Sequence, residues 1–233
     1  MMRRVTQAPD ASAFAEMARI LDAAPDVATT AEQICDMARD AIGCTDAGIT
    51  LLHGRRRVES VAATDELVEK ADRLQYDMNE GPCIDAIWGG DTFASQDLAN
   101  EPRWPAWGPQ VAEMGITGIL SVRLYTYEDT HGSLNLYATE GRTFDDSDVD
   151  IAQVYAAHAS VALASARETE QLKAAIDSRH LIGLAQGILM ERFDISVDRS
   201  FEVLRRYSQT RNVKLRQIAA EVVERRSRGL DAG

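Results

Sequence analysis

Between positions 205 and 216 of this 233-residue chain stand five cationic side chains, Arg205, Arg206, Arg211, Lys214 and Arg216, interleaved with Tyr207, Ser208 and Asn212. A guanidinium is a planar fork that binds phosphate bidentately and stacks on unpaired bases. A phenol ring adds a stacking surface, and hydroxyl and carboxamide groups donate to and accept from base edges. This set suits a nucleic acid whose bases are splayed out, as in an RNA hairpin loop. It suits a regular RNA duplex poorly, because the deep, narrow major groove hides the bases. The bland alternatives are a solvated helix face for the arginines and a helix cap for Asn212.

Other chemistries find little support. His53, His131, His158 and His180 are scattered without an HExxH pair, and neither GxxxxGK[ST] nor GxGxxG occurs. Cys35, Cys44 and Cys83 include no CxxC pair, which argues against a disulfide framework or a thiolate zinc site. Lys70 is the only lysine before residue 166, so a phosphorelay receiver is not expected. The expectation is a protein that is not an enzyme, with no catalytic residues, no metal and no cofactor. No window approaches the ~20 apolar residues of a membrane span. Arg3 and Arg4 have no apolar run behind them, so no secretory leader is expected and the setting is read as reduced and cytoplasmic.

The net charge of −12 is unevenly spread. Residues 1–165 carry 12 Lys+Arg against 27 Asp+Glu, and residues 166–233 carry 13 against 10. The acidic part would repel a polyanion, so contact with one falls to the C-terminal part.

The elements that must position these residues follow from spacing. Helices are predicted over 12–24 and 31–42, the second capped by Thr30 and stopped by Gly43. Two β-rich runs flank His53-Gly54-Arg55 as a hairpin. Residues 66–76 read as a helix and 77–117 as irregular chain. Residues 118–126 and 133–139 alternate as strands across a polar turn from Glu128 to Gly132. This order predicts an α+β domain, an antiparallel sheet with helices on one face.

Ser147 and Asp150 resemble a capping box. With no Gly or Pro before Gly183, residues 147–192 are predicted to form one helix about 65–70 Å long, a hinge at Arg167–Gln171 being the alternative. Its apolar stripe runs through Ile151, Val154, Tyr155, His158, Val161 and Ala162, then Leu172, Ile176, Ile182, Ala185 and Leu189. A stripe on so long a helix predicts a homodimer through residues 147–192. Phe193 to Ser196 interrupts the helix. Ser196 caps a second helix with Ser200 or Phe201, Leu204 and Ser208 inside. Asn212 caps a third with Leu215, Ile218, Ala219 and Val222 inside. Gly183 and Gly187 each cost about 1 kcal/mol against Ala in a helix, which predicts close approach of another helix. The short helices expose too much apolar surface to fold alone and must pack on the end of the long one.

Two resemblances emerge. EGPC at 80–83, RWPAWGP at 103–109, and LSVRLY followed by GSLNLY are similar to GAF domains, over roughly 30–165. The resemblance implies a sensory α+β scaffold with a small-molecule pocket between sheet and loops. Cys83, Trp88, Trp104 and Trp107 lie on that loop side, where they line a ligand cavity or fill the core. The last part resembles the ANTAR domain through Ala185, Gly187, Ile188, Leu189 and Met190, then Phe201, Leu204, Arg205, Tyr207 and Ser208, then Asn212, Lys214, Leu215 and Ala219. The family usually has Lys where Gln186 stands and Ala where Ser200 stands. This implies an all-α, three-helix antitermination module that binds RNA hairpins in nascent transcripts.

The expected organisation is a helical extension over 1–29, a GAF-like sensor over 30–165, and an ANTAR-like RNA-binding domain over 166–228, joined by the long helix. It implies a signal-responsive regulator with an unknown small-molecule ligand. The alternative is a sensor-linked DNA-binding regulator. Its recognition helix would be 213–227, where Glu221 and Glu224 interrupt the basic face.

Overall fold

The computed structural model describes residues 11–54, 57–127, 129–139 and 142–230. The chain divides into two compact units, Met1–Arg167 and Glu168–Gly233.

The first unit is built on a five-stranded antiparallel sheet of order β2-β1-β5-β4-β3, with β1 Asp46–His53, β2 Arg57–Ala63, β3 Phe93–Ser95, β4 Gly118–Tyr125 and β5 Thr130–Ala138. Alternation sorts the strand side chains onto two faces. Ile49, Leu51, Leu120, Val122, Leu124, Leu134 and Leu136 pack on α1 (Ala11–Asp22), α2 (Val27–Ile42) and the start of α6 (Asp146–Phe193). Ile119 and Tyr137 face the other way, onto a second core with Val68 of α3 (Glu66–Met78), Trp107 and Val111 of α5 (Trp107–Glu113), and Trp104. Helices therefore cover both faces and not one, so the strands read as apolar runs more than as strict alternation.

Several local expectations shift. Asp26, not Thr30, caps α2, its carboxylate accepting from the Thr29 N–H at 2.8 Å. Thr30 is buried inside the helix. Gly43 ends it in the left-handed conformation, as predicted (φ 68°). The helix predicted at 12–24 is α1, and it is not a separate extension: Met17 and Leu21 belong to the same core as α2 and the sheet. Residues 1–10, Arg55 and Glu128 lie outside the described residues. The stretch 77–117 is more ordered than expected. It holds α4 (Pro82–Gly89), β3, a 3-10 turn at Leu98–Asn100 and α5. Prolines suggest breaks in regular structure, yet Pro82 opens α4, where its missing N–H costs nothing.

Helix α6 is continuous over 48 residues, without the hinge at 167–171. Its capping box lies two residues earlier than predicted. The Asp148 N–H donates to Asp145 Oδ1 at 3.1 Å and the Asp145 N–H donates to Asp148 Oδ2 at 2.9 Å. The single apolar stripe resolves into separate sides. Ile151, Tyr155, Ala159 and Leu163 are buried in the first unit's core. Val154, Val161, Leu172 and Ile176 are 39–65% exposed.

In the second unit, the end of α6, α7 (Val197–Arg211) and α8 (Leu215–Leu230) surround a small core of Ala185, Leu189, Leu204, Ile218 and Ala219. Ser196 caps α7 as predicted, accepting from the Arg199 N–H. Of the two candidates for the inner face, Ser200 is buried and Phe201 is exposed. A Cβ at Gly183 or Gly187 would meet open space, so no helix of this unit comes close to these glycines.

Candidate nucleic-acid interface and sensor core

In the second unit the predicted site residues crowd the α7–α8 connection. Arg205, Arg206, Tyr207, Arg211, Asn212, Lys214 and Arg216 are exposed, and Ser208 is half-buried. Among the described residues no carboxylate pairs with Arg205, Arg206, Lys214 or Arg216. Arg211 is already engaged, its two Nη atoms lying 2.5 and 3.1 Å from the Glu221 carboxylate. Successive helical positions turn by about 100°, so Arg205 and Arg206 leave α7 on different sides and do not share one face.

Asn212 and Ser208 have structural work that differs from the expectation. Asn212 does not cap the third helix. It ends α7 in the left-handed conformation (φ 51°), its N–H donating to the Gln209 and Ser208 carbonyls. Asn tolerates this backbone better than most residues because its short amide bonds locally. At the start of α8 the Gln217 and Ile218 N–H groups donate to the Lys214 carbonyl at 2.8 and 3.3 Å. The Ser208 hydroxyl donates to the Val213 carbonyl at 2.6 Å and the Val213 N–H returns to the Ser208 carbonyl at 3.1 Å. That reciprocal pair closes the turn and sets the spacing between Arg205 and Lys214.

A feature missed in the sequence is a groove of about 340 Å³ among α6, α7 and α8. Phe193 and Tyr207, each more than half exposed, stand at it with Arg192 and Arg225. The Arg192 guanidinium lies 5.7 Å from the Phe193 ring centroid. An exposed aromatic beside a cation is a stacking platform for a base. Its signal in the sequence is the Arg192-Phe193 dipeptide, which spacing alone marks only as a helix end.

In the first unit Cys83, Trp104 and Trp107 are packed to 1% exposure or less, whereas Trp88 is 52% exposed. The four do not form one wall. Trp104 meets Trp107 edge to face at 5.9 Å, and their indole N–H groups donate to Asp85 and to the Ala71 carbonyl. Burial pushes the Cys83 thiol up to about 12, so it is no ready nucleophile. The alternative of core filling describes these two tryptophans.

Between the sheet and α3 lies a polar centre that sequence reasoning did not find. Asp72 is fully buried and accepts from Ser60 at 2.9 Å, Gln75 at 3.3 Å, Asn135 at 3.4 Å, and, in a very short contact, from the Tyr137 hydroxyl. Tyr76 links Ser60 to Thr50, and Ser121 donates to Asn135. Burial raises the Asp72 carboxyl to about 6, and the four hydrogen bonds pull against that rise. Gln75 also accepts the Cys83 N–H at 2.9 Å, tying α3 to α4. Gly81 allows this crossing, since a Cβ there would fall 2.3 Å from Gln75 Oε1. No single motif marks the centre, because Thr50, Ser60, Asp72 and Asn135 converge from four separate elements.

Among the described residues no cluster of His, Cys, Asp and Glu could hold a metal ion, and no helix is long and apolar enough to cross a membrane.

A helix-covered antiparallel sheet is thus followed by a three-helix bundle whose outer surface carries exposed cations. Comparison with known families agrees. The GAF domain model matches residues 24–164, more than half of the chain, and the ANTAR domain model matches residues 170–223. The chain belongs to the GAF family, and an ANTAR domain follows its GAF domain. No curated protein matches the sequence. Solved structures share the fold. One is the GAF domain of a phosphoenolpyruvate-protein phosphotransferase (ptsP) from Coxiella burnetii (15% identity, 67% of this chain and 94% of that one, TM-score 0.55). Another is the GAF domain of the Acinetobacter phosphoenolpyruvate-protein phosphotransferase (11%, 67% and 94%, TM-score 0.50). A third is the bacteriophytochrome RpBphP3 from R. palustris (12%, 87% and 47%, TM-score 0.55). The general kind of protein is thus a GAF sensor domain coupled to an RNA-binding antitermination domain.

Proposed function

We propose that this chain is a signal-responsive regulator of transcription antitermination, acting in the cytoplasm by binding and not by catalysis. The GAF domain receives a signal, and the ANTAR domain holds a hairpin in a nascent transcript and so disfavours a competing terminator. The observation that carries this reading is the ANTAR match over 170–223 on a bundle that exposes Arg205, Arg206, Lys214 and Arg216 without carboxylate partners among the described residues. Tyr207 and the neighbouring Phe193 supply stacking surface.

The working form is a homodimer through residues 147–192. Val154, Leu172 and Ile176 support it, since exposed apolar side chains in series on a helix are stabilised by a partner helix. Two linked bundles raise avidity for paired hairpins. Light scattering with and without RNA tests the dimer, and a strict monomer in both samples removes it. For the RNA itself, a hairpin competes with duplex DNA of equal charge. Preference for the hairpin supports the proposal, and preference for the duplex replaces it with the DNA-binding alternative.

A further inference from the structure

An arginine with no ion-pair partner among the described residues sits at the short edge of the sheet. β3 pairs with β4 only over Ile119–Ser121, so from Val122 onward β4 has no neighbouring strand on that side. Arg123 emerges there. Its guanidinium lies over the Tyr125 ring at 4.2 Å and against the backbone of Gly90, where an added Cβ would stand 3.3 Å from Nη1. Arg123 Nε is fully buried and, among the described residues, has no hydrogen-bond partner. Among the described residues its guanidinium makes no ion pair. The Nε atom is closed to a ligand as well as to water; the donors the group can offer are its Nη atoms, which have no hydrogen-bond partner among the described residues. The nearby Arg103 is different: it is committed to Glu101 and to the Ala94 carbonyl, each at 2.7 Å.

Arg123 opens onto a groove of about 790 Å³, in the size range of small-molecule sites. Phe93, Ala157 and Val161 give it apolar walls, and Tyr125 and Tyr127 give it two flat exposed rings. Asp91 and Arg103 also line it, the charge of Arg103 being offset by its pairing with Glu101. A second negative charge on a ligand would be repelled by the Asp91 carboxylate, which favours a monoanion over a phosphate dianion.

We propose that this groove binds a small organic carboxylate with a flat apolar body, the carboxylate taken by the Arg123 fork and the body laid against Tyr125 and the α6 wall. The site is separate from the closed centre around Asp72. Because Ala157 and Val161 belong to α6, the ligand touches the helix that leaves the sensor unit. The proposal names a ligand class for the sensing role and rests on that role only for its consequence. Binding is measured without RNA, so failure here is distinct from failure of the RNA reading.

The test is calorimetric titration of the full chain with benzoate, benzamide and inorganic phosphate. Benzoate is expected to bind in the millimolar range, benzamide and phosphate at least tenfold more weakly, and Arg123→Gln to weaken benzoate by roughly tenfold or more. Arg123→Met is expected to raise the Tm by a few degrees, since it removes a buried unbonded donor. The proposal is overturned by equal binding of benzoate and benzamide, by a preference for phosphate, by unchanged benzoate affinity in Arg123→Gln, or by no benzoate binding up to about 20 mM. A lower Tm in Arg123→Met would make the residue a structural support and would overturn it too.

Discussion

The GAF and ANTAR units place their polar chemistry on opposite sides of their cores. In the GAF unit Thr50, Asp72, Gln75 and Asn135 are fully buried and satisfy one another. In the ANTAR unit the buried set is Ala185, Leu189, Leu204, Ile218 and Ala219 with Ser200, and the cations are outside. An interior of mutual hydrogen bonds couples stability to protonation and to whatever disturbs the network. A small apolar interior does one thing, which is to hold a surface in place. Stability and function should therefore separate by mutation in the ANTAR unit, whereas in the GAF unit stability should follow the protonation of the buried network.

The largest effect that would sharpen this contrast is Leu204→Ala. Leu204 is almost fully buried in a core of few residues, so the destabilisation should be about 2–5 kcal/mol. Two melting steps should appear by calorimetry, the ANTAR unit melting first with the GAF unit intact. A single shared transition would show that the units do not melt independently.

Next is the pH response of the GAF unit. The folded Asp72 carboxyl titrates at about 6, above its ordinary value of 3.8. Between these values the folded protein keeps a proton that the unfolded chain has released. Stability therefore falls as pH rises through this window, by up to about 3 kcal/mol. Asp72→Asn keeps an acceptor for Tyr137 but cannot ionise, so it should flatten the GAF unit's decline between about pH 4 and 6. An unchanged slope in urea unfolding would mean that Asp72 titrates normally.

A smaller change is expected from Lys214→Ala combined with Arg216→Ala. Hairpin affinity should drop roughly tenfold, and the log–log salt slope should shallow by about 0.7 for each phosphate that is no longer neutralised. Thermal stability should stay within about 0.5 kcal/mol, because both residues are exposed. Ser208→Ala reverses that pattern on the smallest scale. It should cost about 1 kcal/mol by removing the bond to the Val213 carbonyl, with little effect on hairpin affinity. Filter binding at several salt concentrations reads both variants, and a large drop in affinity for Ser208→Ala would return that hydroxyl to the RNA face.

Local signals are legible where they act alone. Residue type marks Gly43 and Ser196 as helix boundaries, and the structure uses both as such. Helical spacing places Leu204, Ile218 and Ala219 inside, where they are buried. Errors arise where two residues compete for one role. Asp26 takes the cap expected of Thr30, and Asp145 with Asp148 takes the box expected of Ser147 with Asp150, because runs of capping residues offer several starts. Asn212 can cap either end of a helix, and only backbone geometry decides which. The Asp72 centre is illegible for a different reason. Its members are brought together by sheet register and by α3 packing, which no spacing in the chain encodes.

Arg142 gives the capping box a further meaning. Its Nη2 lies 2.7 Å from Asp148 Oδ1 and donates to the Ile42 carbonyl at 2.8 Å, while Nε reaches the Gly43 carbonyl at 3.3 Å. One guanidinium thus rivets the last turn of α2 to the first turn of α6. A helix advances by a constant angle per residue, so this rivet at the origin of α6, together with the buried Ile151 and Tyr155, fixes the compass bearing at which Val154 leaves the GAF unit.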